Sequence, residues 1–252
     1  MERPEAAVAI VHARGAEESV LLILRAERED DPWSGHWSFP GGRCDPEDTS
    51  LSHTALRELE EECGIRLDPN HLEQALPQTL AGRRVGRFVL VAPFLFRVDG
   101  ELPVTVDHRE AARAVWLPLR ILLDPARHCL RNVPRLPPET LFPCVEVDGI
   151  PLWGFTYRVL TYWLGLVPAA ATTFEIANDM LSLLVASGLQ IEQDWQDNKA
   201  RVSGVIPVEQ VLARLPLPPH RIPEIFSLEV HPDRIRLLGL ALDEYIITAA
   251  PG

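Results

Sequence analysis

The chain has 252 residues, a formal net charge of −12, and 46% hydrophobic against 24% charged residues. That length accommodates a compact catalytic domain plus a smaller unit, and the acidic balance argues against bulk nucleic-acid binding, which needs a basic footprint. Cys44, Cys63, Cys129 and Cys144 show no C-x-x-C spacing, the start lacks a signal peptide's basic-then-apolar order, and the longest uncharged stretch, Val159 to Phe174, is short for a membrane span and contains Pro168, so a cytoplasmic chain with reduced thiols and no membrane partner is expected.

Ala7 to His12 and Leu21 to Leu24 read as short β-strands separated by a charged turn region. They lead into a glycine-bearing loop and a helix-like run, GRCDPEDTSLSHTALRELEEECGI, over residues 42 to 65. Glu58, Glu61 and Glu62 are spaced i, i+3 and i+4, so a helix holds all three charges on one face. Ala55, Leu56, Leu59 and Cys63 form the opposite, core-facing stripe, which directs the acidic face into a cleft. Like charges this close raise one another's pKa unless a cation neutralises them. All-oxygen ligands that leave room for water suit Mg²⁺ or Mn²⁺ better than zinc.

The run Arg57-Glu58-Leu59-Glu60-Glu61-Glu62-Cys63-Gly64-Ile65 resembles the second half of the Nudix hydrolase signature, G-x5-E-x7-R-E-U-x-E-E-x-G-U, at every specified position. In the first half, counted from Gly42, the place of the first glutamate falls on Asp48, and eight residues rather than seven separate it from Arg57. The D-P-x-D segment Asp45 to Asp48 followed by T-A-L-R-E resembles the branch of the family that cleaves coenzyme A. So does the lead-in LLILRAEREDDPWSGHWSFPGG, in which Leu21, Leu22, Arg25, Ala26, Gly35, Phe39, Pro40, Gly41 and Gly42 fit that branch's pattern. Ile23 replaces its threonine, Arg28 comes early, and Asp31 stands near the place of a base.

The resemblance implies an α/β/α sandwich around a mixed sheet and metal-assisted attack of water on a diphosphate. It implies Glu58, Glu61, Glu62 and the Gly42 carbonyl as metal ligands, and Arg57 as a group that orients a glutamate by salt bridge. Arg25, Arg28 and Gly41 are the implied substrate contacts. Glu61 and Glu62 stand as alternatives for the general base, with Glu110 as a third because EAARAVWLPL, residues 110 to 119, resembles the family's segment in which an additional glutamate precedes a strand. The implied substrate is a nucleoside diphosphate derivative. Coenzyme A or acyl-coenzyme A leads, ADP-ribose or a dinucleotide is the alternative, and a non-catalytic sensor is the third reading.

Downstream, Phe88 to Val98 reads as a buried strand made irregular by Pro93, and Ala114 to Trp116 as another. Residues 151 to 166 show helical spacing of Trp153, Tyr157, Leu160 and Leu164, aromatics that suit a core more than an adenine platform. The resemblance ends near residue 167, so the expected domains are 1–167 and 168–252. In the second, a small α+β unit is expected: a helix over Glu175 to Ala186, strands near Leu189 to Trp195 and Arg201 to Pro207, a short helix over Val208 to Leu215, and a hairpin turning at His231-Pro232-Asp233. A homodimer contact, a cover for the active site and a partner-binding surface are the uses open to this unit.

Overall fold

The computed structural model describes residues 4–28, 33–82, 88–167 and 172–250. The chain divides into two compact units, Met1–Asp124 with Val145–Leu164, and Pro125–Cys144 with Gly165–Gly252. The expected single cut after residue 167 misses the excursion of Pro125–Cys144, which belongs with the second unit. Family likeness runs straight through this segment, so sequence offered no composition shift there.

In chain order the elements are β1 (Ala6–Arg14), β2 (Ser19–Arg25), β3 (Trp37–Ser38), β4 (Gly41–Arg43), α1 (Leu51–Cys63), β5 (Leu72–Ala75), β6 (Thr79–Ala81), β7 (Val89–Asp99), β8 (Ala111–Pro118) and α2 (Leu119–Leu123). Next come β9 (His128–Arg131) and β10 (Thr140–Val147), which starts in the second unit and ends in the first, then β11 (Ile150–Trp153) and α3 (Gly154–Trp163). The remainder is α4 (Thr173–Ala186), β12 (Ile191–Gln196), β13 (Lys199–Ser203), α5 (Val208–Ala213), β14 (Ile225–Val230), β15 (Arg234–Gly239) and β16 (Glu244–Ala250).

In the first unit the sheet runs β3-β2-β1-β7-β5, with β4 also on β1, β6 on β7 and β8 on β2. β1 and β7 are parallel and the other pairs with printed register antiparallel, which makes the sheet mixed. Strand alternation divides its side chains between two cores. Ala7, Ala9, Val11 and Ala13 of β1 join Leu21, Ile23, Phe96 and Val98 against Ala55, Leu59 and Cys63 of α1. Ile10, Val20, Leu22 and Leu95 pack with Leu122 of α2 and Tyr157, Val159 and Leu160 of α3. Three alanines on the α1 side of β1 let the helix approach the strand closely. The result is the helix–sheet–helix sandwich expected.

Pro93 sits where its missing N–H costs least. The β1–β7 register continues unbroken through Val8↔Pro93, while on the other edge β6 pairs with Val89 to Val91 and β5 with Phe94 to Phe96. The proline falls between those two partners. The expected helix from residue 151 is corrected: Ile150–Trp153 is a strand, and the helix starts at Gly154. Asp148 and Gly149, with φ of 49° and 78°, form the tight turn that reverses the chain from β10 into β11, a D-G hairpin signal stronger than the helical spacing after it. Tyr157 and Leu160 are buried, as core aromatics and aliphatics should be.

The second unit is α+β. Its sheet runs from β10 through β14, β15, β16 and β13 to β12, with β9 on β10, and β13 pairs parallel to β16. α4 buries Ile176, Ala177, Met180, Leu181 and Leu184 against Val202, Leu228, Ile235, Leu237 and Ile247. The hairpin β14–β15 turns at residues 231–233 as expected, and β16 is a strand that sequence did not indicate. Among the described residues no helix is long and apolar enough to cross a membrane.

Candidate active site

The site starts from two glycines. In β4, Gly41 and Gly42 pair with Val8 and Ala7 of β1. A β-carbon on Gly41 would lie 2.5 Å from the Ala7 carbonyl oxygen, and one on Gly42 2.4 Å from Glu58 Oε1. Only glycine lets the strand run between β1 and the first helical carboxylate. The chain then turns through Asp45 to Asp48, where the Asp45 amide donates to Asp48 Oδ2 (2.9 Å) and the Glu47 amide to Asp45 Oδ1 (2.9 Å). Ser50 caps α1 by accepting from the His53 amide, and Gly64 closes it in the left-handed region at φ 65°.

On α1 the three glutamates are graded in depth. The Glu61 side chain is 56% exposed, that of Glu58 12%, and Glu62 as a residue 2%. The expectation of one outward acidic face is corrected here. Glu62 is three residues past Leu59 and adjoins the apolar stripe, so docking the helix takes its carboxylate down with the stripe. The Gly41 amide donates to Glu62 Oε2 at 2.8 Å.

Arg57 ties the other carboxylates together. Its Nη1 donates to Glu58 Oε1 (2.9 Å) and Glu61 Oε2 (2.8 Å), its Nη2 to the Arg43 carbonyl (3.1 Å), and Nε with Nη2 grips both oxygens of Asp48 at 3.1 Å. Asp48 also accepts from Thr54 Oγ1 at 2.8 Å, and its side chain is 3% exposed. Asp48 is the residue that sequence reasoning left without a role. Its signal was present, since it occupies the place of the signature's first glutamate.

Electrostatics follow the burial. Burial first, then the neighbouring charges of Glu58 and Glu110, push the Glu62 carboxyl up to about 8, against the pull of the Gly41 amide and Arg25. Burial also raises Glu58, with Glu61 and Glu110 adding and Arg57 opposing. The Arg57 guanidinium holds Asp48 well below the usual carboxylate range, and Asp48 in turn strengthens Arg57's hold on its proton.

The remaining sequence candidates border this cluster. Arg25, at the end of β2, and Glu110, in the turn before β8, both act electrostatically on Glu62. The Glu110 carbonyl accepts from the Ala26 amide (2.9 Å), which pins that turn to the end of β2. Arg28 is exposed and its guanidinium donates to the Arg109 carbonyl. Gly41 spends its amide on Glu62, which makes it a positioning group for that carboxylate. Asp31 lies outside the described residues.

Among the described residues no three His, Cys, Asp or Glu side chains stand grouped as a finished metal cage. The donor set nevertheless fits a hard divalent cation. Glu58 and Glu61 face each other across a single guanidinium nitrogen, Glu62 lies beneath them, and the glycine at position 42 leaves its backbone open beside Glu58. Mg²⁺ needs only one or two carboxylates and keeps several waters, so a half-open oxygen site suits it.

Comparison with known proteins agrees with this arrangement. A mouse protein named mitochondrial coenzyme A diphosphatase NUDT8 is 42% identical over 73 residues, covering 28% of this chain and 34% of that protein. An uncharacterized protein from Schizosaccharomyces pombe is 34% identical over 137 residues, 49% of this chain and 41% of that one, so the matches span less than half the length of these relatives. An uncharacterized Nudix hydrolase, NudL, from Yersinia pestis is 33% identical over 145 residues, 58% of this chain and 71% of its own. Among solved structures, a MutT/nudix family protein from Enterococcus faecalis superposes with a TM-score of 0.45 at 16% identity, over 79% of this chain and 71% of that chain. The model of the NUDIX domain matches residues 3–136, more than half the chain and all of the carboxylate helix with its loop, and the chain belongs to the NUDIX domain family.

Proposed function

We propose that the protein is a Mg²⁺- or Mn²⁺-dependent hydrolase of phosphoric anhydrides that cleaves the diphosphate linkage of coenzyme A or acyl-coenzyme A, giving 4′-phosphopantetheine and adenosine 3′,5′-bisphosphate. The observation that carries the chemistry is the convergence of Glu58 and Glu61 on Arg57 above buried Glu62. A buried like-charge cluster is costly, and a site for a divalent cation and a diphosphate is what offsets it. The substrate reading rests on the 73-residue likeness to the coenzyme A diphosphatases of mouse and human, 42% and 41% identical, and on the LLILRA…FPGG lead-in.

A bound divalent cation supplies charge neutralisation on the diphosphate and activation of the attacking water. Glu58, Glu61, Glu62 and the Gly42 carbonyl are the groups to hold it. Arg57, braced by Asp48, keeps Glu58 and Glu61 aligned and lowers the cost of their mutual repulsion. Glu62 keeps its proton at neutral pH only while its surroundings are short of positive charge, and releases it when the site fills. That leaves Glu110 to accept the proton of water, since it sits on a turn and not on the helix yet faces both Glu58 and Glu62. Arg25 stands beside Glu62, placed to meet a phosphate.

One observation favours a different diphosphate substrate, such as ADP-ribose: Arg28, the expected partner for an extra phosphate, is turned onto the Arg109 carbonyl. Incubation of the protein with Mg²⁺ or Mn²⁺ and either coenzyme A, acyl-coenzyme A, ADP-ribose, NADH or diadenosine polyphosphates, with products identified by mass, decides the matter. Coenzyme A is expected to be cut fastest. Intact coenzyme A beside cleaved ADP-ribose transfers the assignment to the second substrate, and no turnover with any metal removes the enzyme reading.

A further inference from the structure

Two cysteines outside the carboxylate site stand close together. Cys129 in β9 and Cys144 in β10 lie on paired strands of the second unit with their sulfur atoms 3.6 Å apart, and no disulfide joins them. Cys144 is fully buried, whereas Cys129 is partly open to solvent. A disulfide requires a sulfur–sulfur distance of about 2.05 Å and α-carbons about 4.4–6.8 Å apart, a spacing that neighbouring strands supply, so side-chain rotation is the movement needed. Sequence spacing does not announce the pair, because fourteen residues intervene and the loop between the strands brings the two together only when β9 and β10 align.

We propose that Cys129 and Cys144 are a reactive dithiol that closes to an intramolecular disulfide, with a low-molecular-weight disulfide as oxidant and Cys129 as the entry thiol. The Cys129 thiolate attacks one sulfur of the small disulfide, which forms a mixed disulfide and releases one thiolate. The Cys144 sulfur, next to it and shielded from solvent, then attacks the Cys129 sulfur and expels the second thiolate. The two protein thiols are oxidised by two electrons, the small disulfide is reduced to two thiols, and these carry away the two protons. Burial makes Cys144 a poor target for the bulky oxidant but leaves it placed to resolve the adduct. The bond closes a loop through residues 132–139 and restricts the unfolded chain as well as the folded strands. The dithiol is independent of the carboxylate chemistry, because both cysteines belong to the second unit.

The test uses the full chain carrying Cys44→Ser, which removes the exposed thiol in the loop before α1. After incubation with oxidised glutathione and quenching with an alkylating agent, intact mass and peptide mapping are expected to show a Cys129–Cys144 cross-link and no glutathione, reversed by dithiothreitol. With Cys144→Ser added, the product is expected to stop at one glutathione on Cys129. With Cys129→Ser added instead, neither adduct nor cross-link is expected. A stable glutathione adduct on Cys129 in the presence of Cys144, or complete alkylation of both cysteines with no cross-link, overturns the proposal. Should Cys144→Ser fail to fold, the Cys129→Ser chain and the parent carry the test alone.

Discussion

Each unit lays a long helix on a sheet that contains a parallel pair, β1 with β7 and β13 with β16, yet the two helices treat their charges in opposite ways. α4 keeps Glu175 and Asp179 in solvent and buries Ile176, Ala177, Met180, Leu181 and Leu184 at helical spacing. α1 buries Glu62 beside its apolar residues and half-buries Glu58 and Arg57. α4 follows the rule for a helix that only supports a fold. α1 departs from it at the three positions that carry chemistry, and the departure is held in place by Asp48, Gly41 and Gly42. The carboxylates of α1 should therefore be expensive for stability and indispensable for turnover, and those of α4 neither.

The sharpest contrast comes from Glu61→Gln and Glu62→Gln. Each is expected to lower turnover roughly 10²-fold or more by removing a metal-ligand charge. Near-normal rates in both, measured with saturating Mg²⁺ and a diphosphate substrate, would remove them from the site. Glu110→Gln should lower kcat in the same direction without weakening divalent-cation binding, and loss of cation binding instead would make it a ligand.

Next in size is the brace. Asp48→Ala leaves Arg57 without its bidentate partner and is expected to cost about 2–3 kcal/mol in denaturant unfolding, with lower turnover as well. A change below about 0.5 kcal/mol would show Arg57 sufficiently held by Glu58 and Glu61. Gly42→Ala should act on turnover more than on stability, because the added methyl meets the movable end of Glu58.

The pH response of the cation-free protein distinguishes the helices a third way. Folded Glu62 keeps its proton up to about pH 8, whereas an unfolded glutamate releases it near 4.5, so the folded state binds more protons in between and stability must fall as pH rises across that window. The loss is on the order of a few kcal/mol, read as a falling melting temperature from pH 5 to 8, and Glu62→Gln should flatten it. Asp48 works with the opposite sign: its stabilisation is present above the ordinary aspartate range and is lost as pH falls toward its depressed folded value. A melting temperature that rises between pH 5 and 8 in the chelated protein would contradict the burial of an ionisable Glu62. The smallest effect belongs to Asp179→Asn on α4, expected within about 0.5 kcal/mol of the parent and without effect on turnover. A larger loss would show that α4 uses its charges after all.

Legibility in the sequence tracked how local each cause was. The strands β1, β2 and β7, the box helix, α4 and the β14–β15 turn all rest on periodicity or capping within one segment, and they were readable. Two turns with positive φ, Asp148-Gly149 and Asp197-Asn198, carry equally local signals. The first was overridden by a helical pattern just after it, which hid β11. What no local pattern could give was partnership: that Pro125–Cys144 folds with the second unit, that Cys129 meets Cys144, and that β16 joins β13.

The same division runs through the site. By itself the sequence determined the identity and helical phase of Glu58, Glu61 and Glu62, the glycines that must precede them, and the arginine that accompanies them, because these follow from residue type and a 3.6-residue repeat. Tertiary structure alone decided how deep each carboxylate lies, that Asp48 grips Arg57, that the Gly41 amide belongs to Glu62, and that Glu110 reaches the cluster from a distant turn. Depth and pairing depend on which surfaces pack together, and proton affinity depends on depth. The sequence thus names the charges, and packing sets what each of them costs and which of them can hold a proton.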